Sequence, residues 1–115
     1  MGKNILKQKS FDFAVLVVKW CKGTKTVYSD RILINQLMKA GTSIGANIRE
    51  AEFAQSRNDF ISKMSIALKE ANETEYWLLL LKESRLLSDN DCEQLHQLVS
   101  ELIRMLISTV KTSKK

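Results

Sequence analysis

The chain has 115 residues, a formal charge of +5 and a sequence pI of about 9.3. That length allows one domain with a real core, and the basic balance suits an anionic partner better than a cationic one. Two cysteines and one histidine without metal-ligand or CxxC spacing exclude a disulfide framework and a Cys/His metal module.

No residue is proline and only four are glycine, so little interrupts a helix and few tight turns are available. The charge is uneven. Residues 1–57 carry ten Lys/Arg against four Asp/Glu, whereas residues 58–115 carry eight against nine. An anion-binding surface therefore belongs mainly to the first half. The apolar run Phe13–Val18 is too short to span a membrane and lacks a cleavage site, so a cytoplasmic protein with no membrane partner is expected.

In chain order, residues 1–9 form a basic lead-in, expected as an N-terminal arm that is either extended or an extra helical turn. The first helix is predicted from Ser10, a plausible N-cap, to Lys22, with Gly23 just beyond. The second is predicted from about Ser29 to Gln55. Its apolar stripe is Leu33, Leu37, Gly41, Ile44, Ile48 and Ala51, at steps of three and four. A polar strip beside it, Gln36, Ser43, Asn47 and Glu50, predicts hydrogen bonds across a helix interface. Ser56 with Asp59 is a capping signal. It opens a third helix with the stripe Phe60, Met64, Ala67, Ala71, Thr74, Leu78 and Leu81, ending near Ser84. Ser88 with Asp91 repeats the signal before a fourth helix carrying Cys92, Leu95, Val99, Leu102, Leu106 and Val110. Together these predict an all-α, up-down-up-down antiparallel four-helix bundle that fills residues 1–115 as a single domain. The second and third helices, each roughly 40 Å long, exceed the first.

Three surfaces stand out. Gly41 and Gly45 stand four apart inside a helix, where each costs about 1 kcal/mol against alanine. Close approach of another backbone explains them, either within the bundle or between subunits. Four successive leucines, Leu78–Leu81, sweep most of the way round a helix, more than one core stripe can bury. Trp77 and Leu80 fall with Ile66 on a second face, and self-association would cover it. Gly41, Gly45, Ile66, Trp77 and Leu80 are the candidate subunit contacts. Finally, Lys19, Lys22, Lys25, Arg31, Lys39, Arg49 and Arg57 are candidate contacts to nucleic-acid phosphates, set against the alternative of a solvated face. Base stacking is not expected to contribute much to such contacts.

Nothing marks an enzyme. There is no nucleophile–base pair, phosphate loop or metal-ligand spacing, and His96 sits among residues that suit a helix start. Glu70, Glu73 and Glu75 lack the accompanying Glu-x-x-His of a carboxylate metal bundle. Neither a cofactor nor a metal is expected.

The segment Gln36–Leu81, with Ser43–Ile48 at its heart followed by Asp59–Phe60 and Lys69–Glu70–Ala71, resembles the signature of the small bacterial four-helix-bundle proteins called the 23S rRNA intervening-sequence protein family. The resemblance runs over nearly the whole chain. The accessory variability determinant of diversity-generating retroelements, a basic homopentamer that works with a reverse transcriptase and binds nucleic acid, is similar to this family. The resemblance implies a four-helix protomer, a ring-shaped homopentamer and no enzymatic activity. A proline common near the start of the family's second helix is missing here. The function expected is that of a homo-oligomeric accessory protein touching RNA or DNA phosphates without reading sequence, with a reverse transcriptase or another protein as a further partner. The alternative is a ring-shaped protein scaffold with no nucleic-acid role.

Overall fold

Four stripes of apolar side chains at three- and four-residue steps become four helices, because only a helix gathers such positions on one face. The computed structural model describes residues 2–115, with side chains from residue 5 onward; Met1 and the Lys3 side chain lie outside the described residues. The helices are α1 (Gly2–Gly23), α2 (Tyr28–Glu52), α3 (Arg57–Glu83) and α4 (Asp89–Ser113). No strand occurs among the described residues. The molecule measures 46 × 22 × 19 Å, its long axis set by α3.

Each helix packs on its neighbour in sequence, and α4 closes on α1. Along α1 and α2 the paired positions run in opposite order: Lys7 meets Glu52, Ser10 lies against Gly45, Val17 against Gly41, and Cys21 reaches Ile34. The core holds Phe13 and Val17 of α1, Leu37, Ile44 and Ile48 of α2, and the full stripes of α3 and α4 apart from Phe60, which is half-buried. On α2 the stripe uses Ile34, while Leu33 is only half-buried.

The first helix corrects the expected start at Ser10. Of the two forms expected for the lead-in the helical one is found: residues 2–9 are helical, and Leu6 is buried with Phe13 and Val17. The core stripe begins at Leu6, so Ser10 falls inside it. Its hydroxyl caps nothing and instead donates to the Lys7 carbonyl at 2.9 Å. Lys7 and Lys9 pair with Glu52 and Glu101, at 2.9 and 3.2 Å, tying this turn to α2 and α4.

The other boundaries follow from caps. Ser56 accepts from the Asp59 amide at 3.0 Å, and Ser88 accepts from the Asp91 amide at 3.1 Å. The Asp59 carboxylate also accepts the Gln55 amide, at 3.1 Å, so Gln55 belongs to the start of α3 and α2 stops at Glu52. With no proline at its start, α2 opens from an extended Val27 that offers no side-chain cap. Asp30 in the first turn complements the helix dipole there, and the Thr26 hydroxyl holds it at 3.3 Å.

The turn after α3 is a Schellman motif. The Leu86 amide donates to the Leu81 carbonyl and the Arg85 amide to the Lys82 carbonyl, at 2.9 and 3.0 Å. Arg85 occupies the left-handed position usually given to glycine, with φ 67°.

Candidate nucleic-acid interface

Seven cations were expected to face an anionic partner, and the fold divides them. Arg31 and Arg57 are turned to the protein. The Arg31 guanidinium donates to the Cys21 carbonyl at 2.8 Å and also to the Thr24 carbonyl, satisfying groups that the end of α1 leaves open. Arg57 does the same for α4, donating to the Ser113 carbonyl at 2.7 Å and to the Lys115 carbonyl. Each thus uses two of its five N–H donors to close a helix end, which leaves it less free for a phosphate than the other five cations.

Lys19, Lys22, Lys25, Lys39 and Arg49 are exposed. Among the described residues none of these five makes an ion pair, whereas Lys7, Lys9 and Lys63 each hold a carboxylate. Lys19 and Lys22 occupy the last turns of α1, Lys25 follows in the link, and Lys39 and Arg49 project from α2. The helix α1 carries five lysines against one aspartate, so it is the basic element of the bundle.

The structure also supplies what sequence spacing hid. Phe11 is 57% exposed on α1. It lines a surface hollow with Lys7 and Arg49, although Arg49 lies far away in sequence. The packing of α1 on α2 brings this ring beside Arg49, whereas the exposed Tyr28 stands between Lys25 and Arg31 in the sequence itself. A signal was present in the spacing Lys7, Phe11, Ala14, Val18, Lys22, a second helical face bounded by lysines.

The expected subunit contacts are likewise redistributed. Gly41 and Gly45 face α1 of their own chain. A Cβ at Gly41 would stand 3.1 Å from both Val17 γ carbons, and one at Gly45 would stand 3.3 Å from Ser10 Oγ. Close packing inside the protomer accounts for both glycines. Ile66 is 39% exposed, but Trp77 packs partly on the core and Leu80 is half-buried. The exposed apolar surface of α3 instead includes Tyr76, at 58%, and Leu79, at 43%. Tyr76 stands edge-on to Trp77, with ring centroids 5.1 Å apart. The Trp77 indole N–H is buried without a hydrogen-bond partner, a cost of roughly 1–3 kcal/mol that the packing around it must offset.

The polar strip of α2 turns back on its own helix rather than across an interface. Ser43 donates to the Lys39 carbonyl at 2.8 Å and Asn47 to the Ser43 carbonyl at 2.9 Å. Glu50 does reach across, to Lys63 at 3.1 Å. His96 Nε2 lies 2.9 Å from Glu75 Oε2, linking α4 to α3. Among the described residues, no cluster of three or more His, Cys, Asp or Glu is placed to hold a metal ion, and no helix is long and apolar enough to cross a membrane.

Both cysteines are buried free thiols. Cys21 Sγ donates to the Ile34 carbonyl and Cys92 Sγ to the Leu78 carbonyl, each at 3.7 Å. Burial pushes the Cys21 thiol up to about 11, with the Arg31 guanidinium pulling it weakly back. Cys92 is raised as well, chiefly by burial.

The sequence profile of the 23S rRNA-intervening sequence protein family matches residues 2–108. The chain belongs to this family. A similar solved structure is a crystal structure from Bacteroides thetaiotaomicron, described as a protein with unknown function from the S23 ribosomal protein family. It shares 47% identity, with a TM-score of 0.89, over 96% of this chain and 99% of that one. No curated protein matches. The Bacteroides thetaiotaomicron structure thus shares this chain's frame, and the cations on α1 and α2 are carried on that frame.

Proposed function

We propose that this member of the 23S rRNA-intervening sequence protein family is a non-enzymatic accessory protein that binds RNA or DNA phosphates without reading sequence. Its protomer is an antiparallel up-down-up-down bundle, and copies of it close into a ring, with five the number implied by the family resemblance. The observation that carries the reading is the set of five exposed cations, Lys19, Lys22, Lys25, Lys39 and Arg49, on α1, α2 and the link between them, which have no carboxylate partner among the described residues. Free cations carried on one body attract a polyanion by releasing its counterions, and such binding weakens steeply with salt. The two reduced, buried thiols suit the cytoplasm, where the partner nucleic acid is found. The family name supports RNA as the first partner to try.

Fluorescence anisotropy of short RNA and DNA, from low to physiological salt, tests it. Affinity should fall steeply with salt and differ little between unrelated sequences. Replacing Lys19, Lys22 and Lys25 together with glutamine should lower the salt slope by about two to three, at 0.7–0.9 per phosphate contact. Absence of binding at low salt rules the reading out and leaves a protein scaffold as the remaining role.

A further inference from the structure

Phe11 is the aromatic side chain that the fold sets among the cations. Two adjoining hollows, of about 280 and 420 Å³, flank it, and Lys7, Phe11 and Arg49 line both. The smaller hollow exists because Ala14 of α1 and Gly45 and Ala46 of α2 leave space where larger side chains would fill it. Gln8 borders the other. The result is an exposed ring beside a recess that is mainly apolar on one side, with Lys7 and Arg49 as the cations in its lining.

The charges around this ring are mixed, and one cation among them is free of a carboxylate. Asp12 is in no ion pair among the described residues, its carboxylate accepting the neutral Gln8 amide at 2.8 Å. Glu52 is held by Lys7 at 2.9 Å and Glu50 by Lys63 at 3.1 Å. Arg49 remains without a carboxylate among the described residues. A ligand that fits presents a flat apolar face to Phe11 and a negative group to Arg49. An unpaired nucleotide has both, since every base has a stacking face and every phosphate a charge.

We propose that Phe11 is a stacking platform for an unpaired base, with Arg49 holding the adjoining phosphate, so that the protein prefers single-stranded nucleic acid over duplex. This rests on the nucleic-acid reading above and goes beyond it, because phosphate contact alone does not favour a single strand. Bases inside a duplex have their faces covered and cannot reach the ring.

The test compares one labelled RNA 12-mer, single-stranded and annealed to its complement, against wild type, Phe11→Ala, Phe11→Trp and Arg49→Gln. Phe11→Ala should weaken single-strand binding by about 5- to 150-fold, the range for one stacked base. That loss should persist from low to physiological salt and leave duplex binding unchanged. Phe11→Trp should keep the preference and add a fluorescence quench on single-strand binding. Arg49→Gln should lower the single-strand salt slope by about 0.7. Equal losses on both nucleic acids, or no loss on either, overturn the stacking platform while leaving the phosphate reading intact. Wild type that binds neither form at low salt overturns both. If Phe11→Ala changes the oligomer size in light scattering, the ring is a subunit contact and the proposal falls.

Discussion

Gly41 stands against Val17 so closely that an added methyl group would lie 3.1 Å from both γ carbons of the valine. Val17 is fully buried and β-branched, so it cannot swing both carbons away. At Gly45 the nearest atom is instead the Ser10 hydroxyl oxygen, at 3.3 Å. Alanine gains about 1 kcal/mol of helix propensity at either position. Overpacking costs roughly 1–3 kcal/mol where the neighbour cannot give. Gly41→Ala should therefore be destabilising and Gly45→Ala close to neutral, as read from urea midpoints. Equal effects at the two sites would show that α1 shifts as a rigid body.

Arg85 is a second lever on stability. It takes the left-handed position of the turn between α3 and α4, which costs a non-glycine residue about 1–2 kcal/mol. No hydrogen bond or ion pair of its side chain offsets that among the described residues. Arg85→Gly should raise stability by up to about 1 kcal/mol, after the extra chain entropy of glycine is subtracted. Thermal melting monitored by circular dichroism checks this, and a lowered midpoint would refute it.

The thiol of Cys21 ties stability to alkaline pH. Its value in the fold is about 11, against 9.0 for the free side chain. A raised value means that the protonated thiol favours the fold. That contribution is complete below about pH 9 and is lost as pH rises through about 11. Cys21→Ala should be less stable than wild type at pH 7, through the cavity it leaves. The gap should narrow between pH 9 and 11, where only wild type has this thiol to ionise. Parallel denaturation curves at pH 7, 9 and 10.5 measure the difference, and a constant gap would contradict the assignment.

Self-association is best probed at Leu79 and Tyr76, which are more exposed than Trp77 and Leu80. In a ring that buries this face, Leu79→Glu places an unpaired charge in the contact, at a cost of several kcal/mol. Size exclusion with light scattering should show smaller species for the variant and unchanged helicity. A variant that assembles as wild type does moves the contact to another face.

The four helices were legible because their core stripes are regular. Every stripe residue expected on α4 is buried, and on α3 only Phe60 is not. Both serine caps were legible for the same local reason: an N-cap and its partner lie three residues apart. The start of α1 is not legible locally: Ser10 has the chemistry of a cap, and only the burial of Leu6 places it inside the helix. The cation set was half-legible. Charge can be counted in sequence, but whether an arginine faces solvent or a helix end depends on which residues the turns bring to it. Arg31 and Arg57 are bound to carbonyls at helix ends, and Phe11 meets Arg49 only across the α1–α2 seam. Arg85 escaped notice because the left-handed position after a helix is normally signalled by glycine.

The order of the helices bears on how the chain reaches this state. Three of the four close helix pairs, α1 with α2, α2 with α3 and α3 with α4, are consecutive in sequence, and only α4 against α1 joins distant segments. Most contacts can therefore form by closing links of four or five residues, which costs little loop entropy. A chain with such local connectivity folds in microseconds to milliseconds. The α1–α4 seam, tied by Lys9 and Glu101, is the natural last step, and the same seam is where the bundle opens with least disturbance of its remaining pairs.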